Sequence, residues 1–103
     1  MKYREDFENI EELPTYFVGV GEVDGFRFRL LQKDDLYLYE VKSPNSVHYE
    51  LFREHIVPKC IDFNNRIYSE REGKVVYPKS KDFGVWAWTT YSMKRAKEIF
   101  DGK

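Results

Sequence analysis

A chain of 103 residues with 42% hydrophobic and 17% aromatic content has the size of one domain and enough apolar surface to bury a sheet face under a helix, which argues against disorder. One cysteine, Cys60, rules out an intrachain disulfide, and no apolar run approaches the ~18 residues that cross a bilayer. The net charge of −1 conceals an asymmetry: residues 1–51 hold 6 Lys/Arg against 11 Asp/Glu, and residues 52–103 hold 11 against 7, a split that either steers a charged partner or draws the two halves together.

Along residues 1–14, Tyr3, Phe7 and Ile10 recur at helical spacing among Glu5, Asp6, Glu8, Glu11 and Glu12, and Pro14 stops the pattern, so a short acidic helix is expected there. Tyr16-Phe17-Val18 then reads as a strand, and Phe26-Arg27-Phe28-Arg29-Leu30 alternates as a half-buried strand does. Asp24-Gly25 predicts a tight hairpin between them. A second turn is expected at Lys33-Asp34-Asp35, followed by a strand with Tyr37, Tyr39 and Val41 on one face and Leu36 and Leu38 on the other. Both faces of that strand carry large apolar groups, so both are expected to be covered. Ser43-Pro44-Asn45-Ser46 makes a turn into Val47-His48-Tyr49-Glu50-Leu51-Phe52-Arg53, again strand-like.

Between residues 54 and 82 the periodicity weakens, because Pro58, Asn64-Asn65, Gly73 and Pro78 break it into short pieces. This third is expected to be an irregular excursion, a mobile arm or an unresolved hairpin, and partner contacts belong there by default. Residues 83–90 form a strand with Trp86 and Trp88 on one face. Ser92 caps a final helix whose stripe Met93, Ala96, Ile99 and Phe100 lies on the sheet, with Gly102 at its C-terminal cap. The expected fold is α+β: a single domain over residues 1–103, an antiparallel meander of four to five strands with a C-terminal helix on one face and a short N-terminal helix.

Chemistry is sparse. Gly19-x-Gly21-x-x-x-Gly25 departs from the G-x-G-x-x-G spacing and leads into a strand, whereas phosphate binding needs amides at a helix N-terminus. His48, His55, Cys60 and Asp62 match no familiar metal spacing, and Cys60 beside Lys59 is a nucleophile only if a histidine reaches it. Glu70 and Glu72 fall on a charged stretch with no apolar pocket to raise a carboxyl pKa. The most suggestive set is basic and aromatic: Lys74, Tyr77, Lys79 and Lys81 leading to Trp86 and Trp88, the residue types that single-strand binders combine.

Tyr37-x-Tyr39-Glu40-Val41, His48-Tyr49-Glu50-Leu51-Phe52-Arg53 and Tyr77-Pro78-Lys79-Ser80-x-x-Phe83-Gly84-Val85-Trp86-Ala87-Trp88, with Ala96 and Phe100 in the helix, resemble a loose group of small proteins encoded by phages and mobile elements. The resemblance spans about residues 25–100, and the acidic N-terminal segment lies outside it. It implies such an origin and carries over no catalytic residue. The reading that follows is a cytoplasmic, non-enzymatic protein-binding accessory factor with no cofactor, no metal and no membrane contact. Its partner is a protein, with single-stranded nucleic acid as the alternative and a Cys/His enzyme as a third, and the choice between monomer and homodimer is open.

Overall fold

The computed structural model describes residues 4–102. Its elements are β1 (Asn9–Glu11), β2 (Tyr16–Val18), β3 (Arg27–Lys33), β4 (Leu36–Lys42), β5 (Val47–Arg53), β6 (Ile56–Asp62), β7 (Ile67–Val75), β8 (Ala87–Thr90) and α1 (Met93–Gly102), with short 3-10 turns at Arg4–Asp6, Gly21–Val23 and Ser80–Asp82. The expected α+β class is observed. Where one domain is expected over residues 1–103, the chain divides into two compact units, Met1–Leu13 with Glu54–Tyr77, and Pro14–Arg53 with Pro78–Lys103. Counted by unit, the first holds 6 Lys/Arg against 9 Asp/Glu and the second 11 against 9, so the charge split of the sequence halves is diluted once the chain folds.

The second unit is a five-stranded antiparallel sheet in the order β2-β3-β4-β5-β8. The alternation seen in sequence becomes two distinct faces, since residues directly opposite each other share a face. One carries Leu38, Leu51 and Trp88, in register along β4, β5 and β8, and α1 lies on it. Ala96 is the buried contact, with Leu31, Tyr49, Ile99 and Phe100 closing around Leu38 and Leu51. Ser92 caps α1 as expected, its Oγ accepting from Arg95 N at 3.2 Å. Gly102, expected as a left-handed cap, instead stays within the helix.

The opposite face is an aromatic row. Phe17 stacks on Phe28 at 4.5 Å, meets Tyr39 edge-on at 5.9 Å, and Phe52 stacks on both Tyr39 (5.8 Å) and Tyr37 (5.1 Å). Offset stacks and edge contacts of this kind add about 0.5–1.5 kcal/mol each beyond the area they bury. The Tyr39 hydroxyl, fully enclosed, donates to the Pro14 carbonyl at 2.7 Å, so no buried donor is left unmet there. Phe28, Tyr37, Tyr39 and Phe52 are thereby buried on a second face of the sheet.

Two boundaries differ from expectation. Asp24-Gly25 does not make a two-residue hairpin. It forms the middle of a four-residue turn closed by Phe26 N to Val23 O at 3.0 Å, at the end of an eight-residue connection that includes a 3-10 turn. The strand expected over residues 83–90 starts only at Ala87, because Gly84 takes φ +90 and the amides of Val85 and Trp86 both turn back to Asp82 O, a backbone path that only glycine adopts without strain. Trp86 consequently precedes the pleat. It meets Phe52 edge-on at 6.2 Å on the aromatic face, while Trp88 lies with Leu51 on the helix face. The two tryptophans thus sit on opposite faces, correcting the expectation that they share one.

The first unit is a three-stranded sheet in the order β1-β7-β6, with β1 parallel and β6 antiparallel to β7. The helix expected over residues 1–14 is replaced by a 3-10 turn and β1. Of its proposed stripe, Tyr3 lies outside the described residues. Extended pairing wins here because Asn9, Ile10 and Glu11 align with Glu72, Gly73 and Lys74, and Phe7 comes down on Gly73. A Cβ at Gly73 would sit 2.9 Å from the Phe7 ring and 3.0 Å from Ile56 Cγ2. The Arg4 guanidinium ties this segment to the chain just ahead of β6 by bonding both Glu12 (2.8 Å) and Glu54 (2.6 Å). Of the three readings of residues 54–82, the hairpin is the one observed: the stretch is mainly β6 and β7, disguised by a wide bulge in which Ser69-Glu70-Arg71-Glu72 face little more than Lys59.

Two outcomes follow. Gly73→Ala should cost the first unit about 1–3 kcal/mol by overpacking, read as a lower urea midpoint and faster amide exchange in β1 and β7. Burial pushes the Tyr39 phenol up to about 12 from 10.0. The folded chain therefore holds that proton more tightly, so stability is full below about pH 10 and falls by roughly 2–3 kcal/mol as pH rises through the folded value. Tyr39→Phe should flatten that alkaline slope in pH-dependent unfolding.

Candidate functional site

The tip of the β6-β7 hairpin is assembled from Cys60-Ile61-Asp62-Phe63-Asn64-Asn65-Arg66-Ile67-Tyr68. Asp62 organises it. One carboxylate oxygen accepts the amides of Asn64 (3.1 Å) and Asn65 (3.3 Å), and the other accepts the Asn65 side-chain amide at 2.7 Å. Asparagine and aspartate make such local bonds readily, which is why they populate turns. The Asn65 side chain and then the backbone amides hold the Asp62 carboxyl below its ordinary pKa. Arg66 completes the reversal in the left-handed region at φ 54, its amide reaching Phe63 O at 3.3 Å.

This pinned turn presents apolar side chains to water. Phe63 is 85% exposed and Ile61 67%, with Ile67 and Tyr68 about half exposed. A scattered exposed leucine or valine is ordinary, but four large apolar side chains exposed within eight residues of one hairpin are a concentration of the sort found at interaction sites. Cys60, exposed at the base of the tip, pairs in register with Tyr68.

The basic and aromatic residues singled out in the sequence are divided between the two units. Lys74 is an exposed residue of β7, opposite Val57 and Glu11, and Tyr77 ends the first unit, half-buried. Lys79 and Lys81 belong to the second unit, at the N-cap and within a 3-10 turn respectively, where the Lys79 amide donates to Asp82 Oδ2 at 2.8 Å. Trp86 and Trp88, on opposite faces of the sheet, cannot offer successive bases one stacking platform, the arrangement single-strand binding requires. Trp88 is further engaged by the Arg53 guanidinium, 6.0 Å from its ring centre.

The candidates for bond chemistry are divided in the same way. His48 belongs to the second unit, where its Nε2 lies 2.8 Å from Glu50 Oε2 and its ring 5.6 Å from that of Tyr91. His55 and Cys60 are five positions apart on one extended segment, roughly 16 Å, too far for a base to reach the thiol. Asp62 is committed to its turn. Among the described residues no three His, Cys, Asp or Glu side chains are grouped so as to hold a metal ion, and no helix is long and apolar enough to cross a membrane. Glu70 and Glu72 lie exposed on β7 beside Ser69 Oγ, which accepts the amides of Arg71 and Glu72.

A second surface, not foreseen from sequence, lies on the helix face of the five-stranded sheet beyond the reach of α1. Arg27, Arg29, Glu40 and Lys42 line a shallow groove there with Tyr16, and the groove continues past Arg27 and Lys42 to Gly25, Ser43 and Pro44. The alternation Phe26-Arg27-Phe28-Arg29 already placed both arginines on one face. What the sequence did not show is that α1 covers only the other end of that face.

Comparison with family models, with curated proteins and with solved structures finds no match to this chain. The site is therefore read from its own geometry. One consequence is direct: the exposed Cys60 thiol should be modified by Ellman's reagent in the native state without denaturant, and Cys60→Ser should shift stability by no more than about 0.5 kcal/mol.

Proposed function

We propose that this protein is a non-enzymatic protein-binding factor that docks through the tip of the β6-β7 hairpin. The observation that carries the reading is the exposure of Phe63 and Ile61 on a turn already fixed by Asp62. A rigid aromatic anchor loses little conformational freedom on binding and gains the full desolvation of its ring, the profile of an interface hot spot. Polar Asn64, Asn65 and Arg66 surround it, as a polar rim surrounds the dry centre of an interface. The resemblance to phage- and mobile-element-encoded proteins supports a host-cell protein as the partner, and a cytoplasmic site of action.

Cys60 makes the test direct. A benzophenone attached to its thiol and irradiated in host lysate should yield one discrete adduct. Phe63→Ser, at a position so exposed that folding stability should move by less than about 0.5 kcal/mol, should abolish that adduct while the circular dichroism spectrum and melting curve stay unchanged. An adduct pattern indifferent to Phe63→Ser overturns the proposal.

A further inference from the structure

The five-stranded sheet ends in β2, and its outer edge and the adjoining cationic groove fit one kind of ligand. Three features converge. First, hydrogen bonds alternate along β2. The Thr15 carbonyl accepts Leu30 N at 2.8 Å, and the Gly19 amide donates to Phe26 O at 2.8 Å. In an antiparallel pair the residues between such positions turn their backbone groups the other way. With Tyr16 opposite Arg29 and Val18 opposite Arg27, the N–H and C=O groups of Tyr16 and Val18 face away from β3, at the terminal position of the sheet. Second, Tyr16 and Val18 are each 52% exposed and Val20 80%, so solvent reaches this end of the sheet.

Third, the face they share is positively charged. Arg27 and Arg29 stand directly across from Val18 and Tyr16, with Lys42 one strand further in. The carboxylate among them, Glu40, is divided between Arg29 (3.1 Å) and Lys42 (3.8 Å). Arg27 meets no carboxylate among the described residues. A strand added beside β2 lies about 4.8 Å beyond it and about 10 Å from β3, a gap that extended arginine and glutamate side chains span together.

The geometry points to an extended acidic peptide as the ligand of this surface: its backbone pairs with Tyr16 and Val18, and the carboxylates on its inner-facing positions meet Arg27 and Arg29. Backbone pairing of this type supplies affinity without sequence dependence, and the alternate side chains supply specificity. The surface lies on the second unit and does not depend on the hairpin tip, so the two proposals fail separately.

The test is fluorescence anisotropy of the full chain with labelled eight-residue peptides: alternating Glu-Val, alternating Lys-Val, and the Glu-Val peptide N-methylated at alternate residues. An eight-nucleotide oligo-dT serves as a polyanion without a peptide backbone. The Glu-Val peptide should bind, with affinity falling as salt rises. The Lys-Val and N-methylated peptides and oligo-dT should bind at least tenfold more weakly. The double variant Arg27→Glu/Arg29→Glu, both positions exposed, should lose at least tenfold for Glu-Val, whereas Phe63→Ser should leave it unchanged. Val18→Pro removes an outward N–H without touching a bond to β3 and should also weaken binding. If that variant unfolds, the N-methylated peptide reads the reciprocal bond, from a peptide N–H to a β2 carbonyl, on the wild-type chain. Absence of Glu-Val binding, equal binding of the N-methylated peptide or oligo-dT, or indifference to the arginine reversal overturns the inference.

Discussion

Solvent reaches almost none of the central strand β4, and the organisation of the larger unit depends on that burial. Leu36, Tyr37, Leu38, Tyr39 and Val41 are each at most 2% exposed, so leucines fill one face and tyrosines the other. A strand buried on both sides requires a neighbour on both edges and a cover on both faces, because each backbone amide and each ring must leave water with compensation. β3 and β5 satisfy the edges over nearly the full length of β4. On one face the cover is α1, seated over Leu38 and Leu51. On the other it begins with the rings themselves, which stack along the strand-to-strand direction from Phe28 to Tyr37.

The bond from Tyr39 to Pro14 follows from the same constraint. A phenol driven into the aromatic face must find an acceptor, and the carbonyl at the start of the second unit supplies it. That acceptor fixes where the chain enters β2, and the entry of β2 fixes which of its residues bond inward to β3. Tyr16 and Val18 are left facing outward as a result, so the edge available to a ligand is a consequence of the packing two strands away. The short length of α1 has a comparable effect: ten residues cover the leucine end of the face and leave Arg27, Arg29 and Lys42 open.

The smaller unit works on a different principle. Its buried apolar positions are few, with Ile56 and Val75 the main ones, and much of its definition is polar and local: the Arg4 bridge to Glu12 and Glu54, the Ser69 bonds in the bulge, the Asp62 turn. Such bonds set direction more than they set stability, since exposed ion pairs contribute at most about 1 kcal/mol each. A hairpin held this way can carry Ile61 and Phe63 outward, because a unit with a small core has no room to take them in.

Where periodicity was strict, the sequence was sufficient. The strands around Phe26, Leu36 and Val47, the turn at Ser43, the N-terminal cap of α1 and, apart from the exposed Met93, its stripe are readable, because side-chain alternation and capping are properties of the local chain. The double burial of β4 was equally legible from large apolar groups at consecutive positions. Elsewhere the decisive contacts were distant. Residues 9–11 have helical spacing, yet they become a strand because β7, some sixty positions on, offers a parallel edge and a glycine for Phe7 to rest on. The β6-β7 hairpin stood only as one of three readings of residues 54–82, because its bulge destroys alternation, although Asp62-Phe63-Asn64-Asn65 held the turn chemistry. The tryptophans two apart looked coplanar until Gly84 turned the backbone between Asp82 and Ala87. Alternation determines which side chains share a face of one strand. Which faces are covered, which edge stays open and which apolar residues remain in water depend on partners far along the chain, and only the tertiary structure brings those partners into contact.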